Sequence, residues 1–447
     1  MIFALGLLSL APYLLALRLG DLRQHTVGFE IAFLAAFGLY GVATAWALRT
    51  EQPSLAETMA IVGFSAAFCA IVIWTPPTLS DDMYRYVWEG RIQAHGFSPY
   101  ELPPNAPELT ALRDAAIWPR INRKAAVTVY PPLAQLTFQG LWRVWPDQVR
   151  WFQLVMALGG LIGGMLLIPL LTALGRSPAR ALIYLWSPLL IFELAHSAHV
   201  DGLILPLLIG AWLAHTRGRE GIVGVMLGLA TTIKFYPALL LPSLWRREDR
   251  RARWVMPAAF IATVILIYAP FVWRAGDRVL GFLPSYFQER FNMGAASVLI
   301  RLFSRLGVDP DLAVLAATLS ALAVISLAFV LRPATGLEQR IRRGIWLIGT
   351  YTLLTQNLFP WYMLWVLPLV ALFLEPDPRW GIKLDAWAGW WLFCGLVALA
   401  YTFFIRWRPI SWAIWAQYIP LYVLLMAQGV NWLYDRRLRL LARAAEP

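Results

Sequence analysis

Two adjacent carboxylates, Asp81 and Asp82, follow directly on an apolar run and open the stretch SDDMYRYVWEGRIQAHGFSPY, residues 80–100. A carboxylate held at a membrane boundary is suited to general-base work, the removal of a proton from an attacking hydroxyl. On a helix, neighbouring side chains point about 100° apart, so the two acids do not share one task. Asp81 also stands where a capping residue would satisfy the free amides of a helix beginning near Met83. Basic side chains suited to holding a phosphate are Arg85, Arg91, Lys234, Arg290 and Arg301, because guanidinium and ammonium groups pair with phosphate oxygens. Each of them is equally suited to an ordinary surface ion pair, and Arg85 is near enough in sequence to pair with Asp82. His196, His199 and Asp201 lie within six residues of one another, a spacing open to a metal ion or to hydrogen bonds with sugar hydroxyls. The sugar contact is preferred for His199 and Asp201, and no metal is expected. Tyr130, Trp361 and Tyr362 offer rings on which a sugar face can stack.

The elements that must position these residues cross a membrane. The chain is 59% hydrophobic and 14% charged, carries 23 Trp, and repeats apolar runs of about 20 residues, the length a helix needs to span a bilayer. The net charge of +12 does not indicate nucleic acid, because the arginines gather in short loops between apolar runs, where they orient a chain in a membrane. Cys69 and Cys394 sit singly inside apolar runs and suggest neither a metal site nor a disulfide. The segment 1–17 has no basic start and no small-residue cleavage site, so a retained first span is expected.

Three arginine clusters set the topology: Arg246, Arg247, Arg250, Arg251 and Arg253; Arg332, Arg340, Arg342 and Arg343; and Arg436, Arg437, Arg439 and Arg443. All three belong on the cytoplasmic side. Spans are expected near 178–193, 199–215, 254–273, 312–331, 342–358, 361–375, 384–404 and 410–433. The run 221–245 is flanked by arginine at both ends, and a single crossing would break the charge pattern. Pro237 removes an amide donor there, so a re-entrant hairpin with Lys234 at its tip is expected. Residues 78–150 then form a large external loop, in which the apolar stretch that follows Tyr130-Pro131-Pro132-Leu133 and runs to Trp145 is a surface-lying helix dipping into the outer leaflet. The expected fold class is an all-α polytopic integral membrane protein of about twelve transmembrane helices plus the hairpin, one domain over 1–447, with both termini cytoplasmic.

The order of motifs resembles that of GT-C glycosyltransferases. Asp-x-Tyr-x-Tyr (Asp82, Tyr84, Tyr86) follows a span, then come Tyr-Pro-Pro-Leu at Tyr130, His-x-Asp-Gly at His199, Lys-x-Tyr-Pro at Lys234 and Pro-Trp-Tyr at Trp361 and Tyr362. The similarity runs from about 58 to 375, is nearest to bacterial polyprenyl-phosphate-sugar mannosyltransferases and glycosylphosphatidylinositol mannosyltransferases, and leaves 376–447 as additional spans and a basic tail. The resemblance implies an enzyme of the bacterial inner membrane with its site on the non-cytoplasmic face. It would move one sugar, mannose first, from a polyprenyl-phosphate donor to a glycolipid or polysaccharide acceptor, with inversion. Its motif places the base at Asp82, with Asp81 the adjacent alternative, and puts Tyr84, Tyr86, Tyr130, His196, His199, Asp201, Trp361 and Tyr362 at the sugar or acceptor. No cofactor, nucleic acid or obligate protein partner is implied; the bilayer itself is the other partner. Two other classes fit parts of the pattern. A lipid or sugar transporter is distinguished by moving its substrate unmodified, and a transferase using a diphosphate-linked donor by its need for a divalent metal.

Overall fold

The computed structural model describes all residues except 247, 248, 251, 252, 287, 333 and 445–447. Arg247 and Arg251 of the first arginine cluster therefore lie outside the described residues, as do the side chains of Arg436, Arg439 and Arg443 in the last. The described chain is helical. Its helices are α1 (Ile2–Leu19), α2 (Thr26–Arg49), α3 (Leu55–Val72), α4 (Asp82–Ala94), α5 (Pro132–Val144) and α6 (Val149–Ala173). A bent pair, α7 (Pro178–Leu185) and α8 (Pro188–His196), follows, then α9 (Asp201–Thr216), α10 (Glu220–Thr231) and α11 (Val255–Ala275). The remainder are α12 (Ala295–Arg305), α13 (Pro310–Leu331), α14 (Leu337–Leu354), α15 (Pro360–Phe373), α16 (Ala386–Arg406) and α17 (Ser411–Ala444).

Local chemistry sets many of the boundaries. Ser54 and Glu57 close a reciprocal capping box on α3, and Asp309 caps α13 with Pro310 in the first helical position, where a missing amide costs nothing. Proline also opens α5, α7, α8 and α15. The 52° bend between α7 and α8 lies at Trp186 and Ser187, directly before Pro188, since the residue preceding a proline leaves the helical region.

Among the described residues, eight helices are long and apolar enough to cross a membrane, or nine if the bent pair is one span. About twelve were expected. The difference lies in α9 and α15, which are short, and in α14, whose first turns carry Arg340, Arg342 and Arg343.

Contacts sort the helix ends into two groups. At one end Arg246 pairs with Glu220, Arg340 donates to the Trp245 carbonyl, Arg176 pairs with Glu338 and Glu375, and Arg49 reaches the Asp377 carbonyl. The described arginines of the first two clusters are thus gathered near one end. At the other end Arg23 pairs with Asp81, Lys234 with Asp201, Arg290 with Asp311, and Phe282 N–H donates to the Thr128 carbonyl. The segment 220–246 leaves the arginine end along α10, turns at Lys234, and returns through the 3-10 turn Tyr236–Leu240. The Arg246–Glu220 pair, 3.3 Å, joins its two feet.

The loop 78–150 divides unequally. α5 keeps an exposed face, but α4 is enclosed from Met83 to Ile92 and does not lie on the surface. Its helix is tied to the loop by Glu89, which accepts from Arg85, Thr128 and Gln135. Gly90 lets α5 cross closely, since a Cβ there would stand 2.4 Å from the Phe138 carbonyl oxygen.

Candidate functional site

A cavity of about 910 Å³ opens at the end away from the arginine clusters, and Asp82 lies on its wall. The turn before α4 is fixed from behind by His196, whose Nε2 accepts from the amides of Thr78 and Leu79 at 3.2 and 3.4 Å. Asp81 occupies the position before the first residue of α4 but makes no capping bond. Its carboxylate is taken by Arg23 at 2.7 Å, and Ser80 Oγ accepts the Asp82 amide instead. Asp82 is thereby the freer acid. One of its oxygens accepts from Asn122 Nδ2 at 2.7 Å, and the other stands 3.9 Å from His199 Nδ1. Burial raises the Asp82 carboxyl above its ordinary value, while Arg123, the Asn122 hydrogen bond and Lys234 pull it down.

Five cationic side chains line the cavity, Arg23, Arg85, Arg123, Lys234 and Arg290, against three acids, Asp81, Asp82 and Glu289. Three of these cations are matched by acids just behind the wall, Lys234 by Asp201, Arg85 by Glu89 and Arg290 by Asp311. Lys234 at the hairpin tip pairs with the fully buried Asp201 at 2.9 Å, and Trp365 Nε1 donates to the same carboxylate at 2.7 Å. The ammonium also lies 5.0 Å from the centre of the Tyr362 ring. Arg123 binds Glu289 and Arg290 binds Asp311. The polar part of the cavity is walled by Tyr86, Tyr130, Tyr286, Trp361 and Tyr362. Below it, Val314, Leu315, Leu319 and Leu322 of α13, with Leu239 and Leu354, continue the wall as an apolar groove.

The site residues expected from sequence fall into three groups. Asp81, Asp82, Arg85, Lys234, Arg290, Tyr86, Tyr130, Trp361 and Tyr362 line the cavity. His199 and Asp201 stand one layer behind: His199 stacks on Trp361 at 3.7 Å and approaches Glu193 at 3.4 Å, and Asp201 holds Lys234. His196, Tyr84, Arg91 and Arg301 are not among the cavity-lining residues. His196 supports the turn, Tyr84 accepts from Arg120, and Arg91 is spent on Asp114, Asp147 and the Leu112 carbonyl. Arg85 reaches the wall, yet its guanidinium is committed to Glu89 and to the carbonyls of Asn122, Arg123 and Ala126, so it pairs with Glu89 and not with Asp82. His196, His199 and Asp201 point to three different partners, and among the described residues no group of three His, Cys, Asp or Glu converges as metal ligands would.

Arg23, Asn122, Arg123, Tyr286, Glu289 and Trp407 also line the site, and no sequence motif marked them. One structural signal marks two of them, Arg123 and Trp407. Five described residues other than glycine have positive φ, and Arg123 (44°), Ala198 (55°) and Trp407 (53°) all stand on the cavity wall or beside His199. Such backbone is costly and gathers where surrounding structure enforces it, commonly at functional sites.

No curated protein is similar enough to match this chain. The family model described as alpha-(1->6)-mannopyranosyltransferase, N-terminal domain, matches residues 4–246, a span that holds Asp82, Arg123, His199 and Lys234. That match covers more than half of the 447 residues, and the protein belongs to the MptA/B family of mannosyltransferases.

Proposed function

We propose that the protein transfers mannose from a polyprenyl-phosphate donor to a hydroxyl of a glycolipid or polysaccharide, on the non-cytoplasmic face and with inversion at the anomeric carbon. The observation that carries this reading is the make-up of the cavity wall. A cationic, aromatic chamber containing Asp82 runs on into the apolar groove along α13, as a molecule with a phosphate-sugar head and an isoprenoid tail requires. In the reaction, Asp82 takes the acceptor proton as the new C–O bond forms. The bond from the anomeric carbon to the phosphate oxygen breaks, and its electron pair leaves with the phosphate. Polyprenyl phosphate needs no strong acid to depart, and Lys234 and Arg123 stabilise its charge from fixed positions. Asp81 is bound to Arg23, which leaves one carboxylate for the work, as a single displacement needs.

The membrane count in this reading remains twelve crossings plus the hairpin, with α9, α14 and α15 among the crossings and the arginine end in the cytoplasm. The test is transfer in nanodiscs from polyprenyl-phosphate mannose. Mannosylated acceptor and lipid monophosphate are the expected products, and activity is expected to persist in excess EDTA. Loss on chelation with recovery in Mn²⁺ or Mg²⁺ would replace this donor class with a diphosphate-linked one.

A further inference from the structure

Trp407 follows directly on α16 and caps it in the left-handed conformation, φ 53° and ψ 33°. Glycine or asparagine ordinarily fills such a position, and a bulky aromatic there is strained. Interfacial tryptophans are common in membrane proteins, but strain of this kind is not what an interfacial belt requires. Trp407 is 64% exposed yet lies on the cavity wall. Its ring packs edge-on against Phe404. The Arg23 guanidinium lies 4.7 Å from the Phe404 centroid and 5.9 Å from that of Trp407. Arg23 in turn holds Asp81, the residue next to the Asp82 base, while its own Nε is buried without a partner. An exposed ring beside an Arg–Asp pair matches a sugar: the ring takes the C–H face and the charged pair takes adjacent hydroxyls. This wall comes from the turn between α1 and α2, the end of α16 and, through Asp81, the turn before α4. None of these contributes to the apolar groove along α13.

We propose that Trp407, Phe404, Arg23 and Asp81 form an acceptor subsite that holds the penultimate sugars of a growing glycan, so that its terminal hydroxyl faces Asp82. The subsite rests on the mannosyl-transfer reading above. It makes the enzyme prefer an oligosaccharide acceptor over a single sugar, and it is separate from the donor phosphate. The test is two-substrate kinetics of the full-length protein in nanodiscs, with α-(1→6)-linked acceptors from mono- to tetrasaccharide. Trp407→Gly relieves the backbone, so it is expected to fold at least as well as the native chain. It should raise the tetrasaccharide KM about five- to tenfold, the factor of a lost ring contact, and flatten the dependence on acceptor length. Donor KM should not change, and Trp407→Phe should keep most of the length dependence. Length dependence that survives Trp407→Gly, or a rise in donor KM in its place, would overturn the subsite. Calorimetric titration with the free tetrasaccharide needs no donor: native binding lost in Trp407→Gly supports the subsite even if polyprenyl-phosphate mannose proves inactive, and equal binding by both overturns it.

Discussion

At the scale of single residues the decisive balance is between burial of Asp82 and the charges around it. Burial raises its carboxyl and Arg123 lowers it. A base must be ionised, so activity falls as the pH drops through that value, and the acid limb of kcat/KM should lie above the ordinary carboxylate range. Arg123→Gln removes a lowering charge and should move the limb further to higher pH, whatever it does to the maximum rate. A limb that stays in place in a kcat/KM–pH profile would show that Arg123 does not act on the base. Lys234 has a structural duty as well, because Asp201 is fully buried. Lys234→Met should cost roughly 3–5 kcal/mol by leaving that carboxylate unpaired, and Lys234→Met with Asp201→Asn should recover much of it. Thermal unfolding in detergent distinguishes the additive from the compensating result. Asp82 was legible in the sequence because it follows an apolar run and begins an Asp-x-Tyr-x-Tyr motif. Asn122 and Arg123 were not, since they sit in an irregular loop with no period and meet Asp82 only through the fold.

At the scale of elements the site depends on one close approach and one break. Gly202, in the His-x-Asp-Gly turn, starts α9 against α6, where an added Cβ would stand 2.4 Å from the Met156 carbonyl oxygen. Gly202→Ala must therefore shift α9, and Asp201 and His199 move with it. A loss of about 1–3 kcal/mol in stability and a fall in kcat of about 10- to 10²-fold are expected. Full activity with an unchanged melting temperature would show that the backbone gives way at no cost. The break at Lys234 was legible from Pro237 and from the arginines that flank the run 221–245 at both ends. The capping duty given to Asp81 was a misreading: spacing marks the position before a helix, but not the distant Arg23 that claims the carboxylate. The π-helical turn Ile191–His196, which brings Glu193 and His196 inward, leaves no signature in periodicity, because its extra residue is absorbed in a single turn.

At the scale of the whole molecule, the first two arginine clusters and the site residues occupy opposite ends, and the hairpin 220–246 touches both. Arginine distribution made this legible before any helix was placed, whereas the span count was not, because α9 and α15 fall short of the usual length. Cysteines at Arg217 and Arg250 should be shielded from an impermeant thiol reagent applied outside the cell, and cysteines at Asn105 and Asp277 should label. The native Cys69 and Cys394 are buried and give little background. External labelling at Arg217 would place the His199–Asp201 turn on the cytoplasmic side and overturn the assigned face.

The account as a whole turns on one carboxylate, and the most direct measurement compares Asp82→Asn with Asp81→Asn in single-turnover transfer from polyprenyl-phosphate mannose. Asp82→Asn keeps the size and the partner Asn122 but cannot take a proton, so its rate should fall about 10² to 10⁴-fold while donor affinity is preserved. Asp81→Asn should retain most of the rate at saturating acceptor. A fast Asp82→Asn enzyme beside an inactive Asp81→Asn would contradict the assignment, and two fast enzymes would remove the base from this turn altogether.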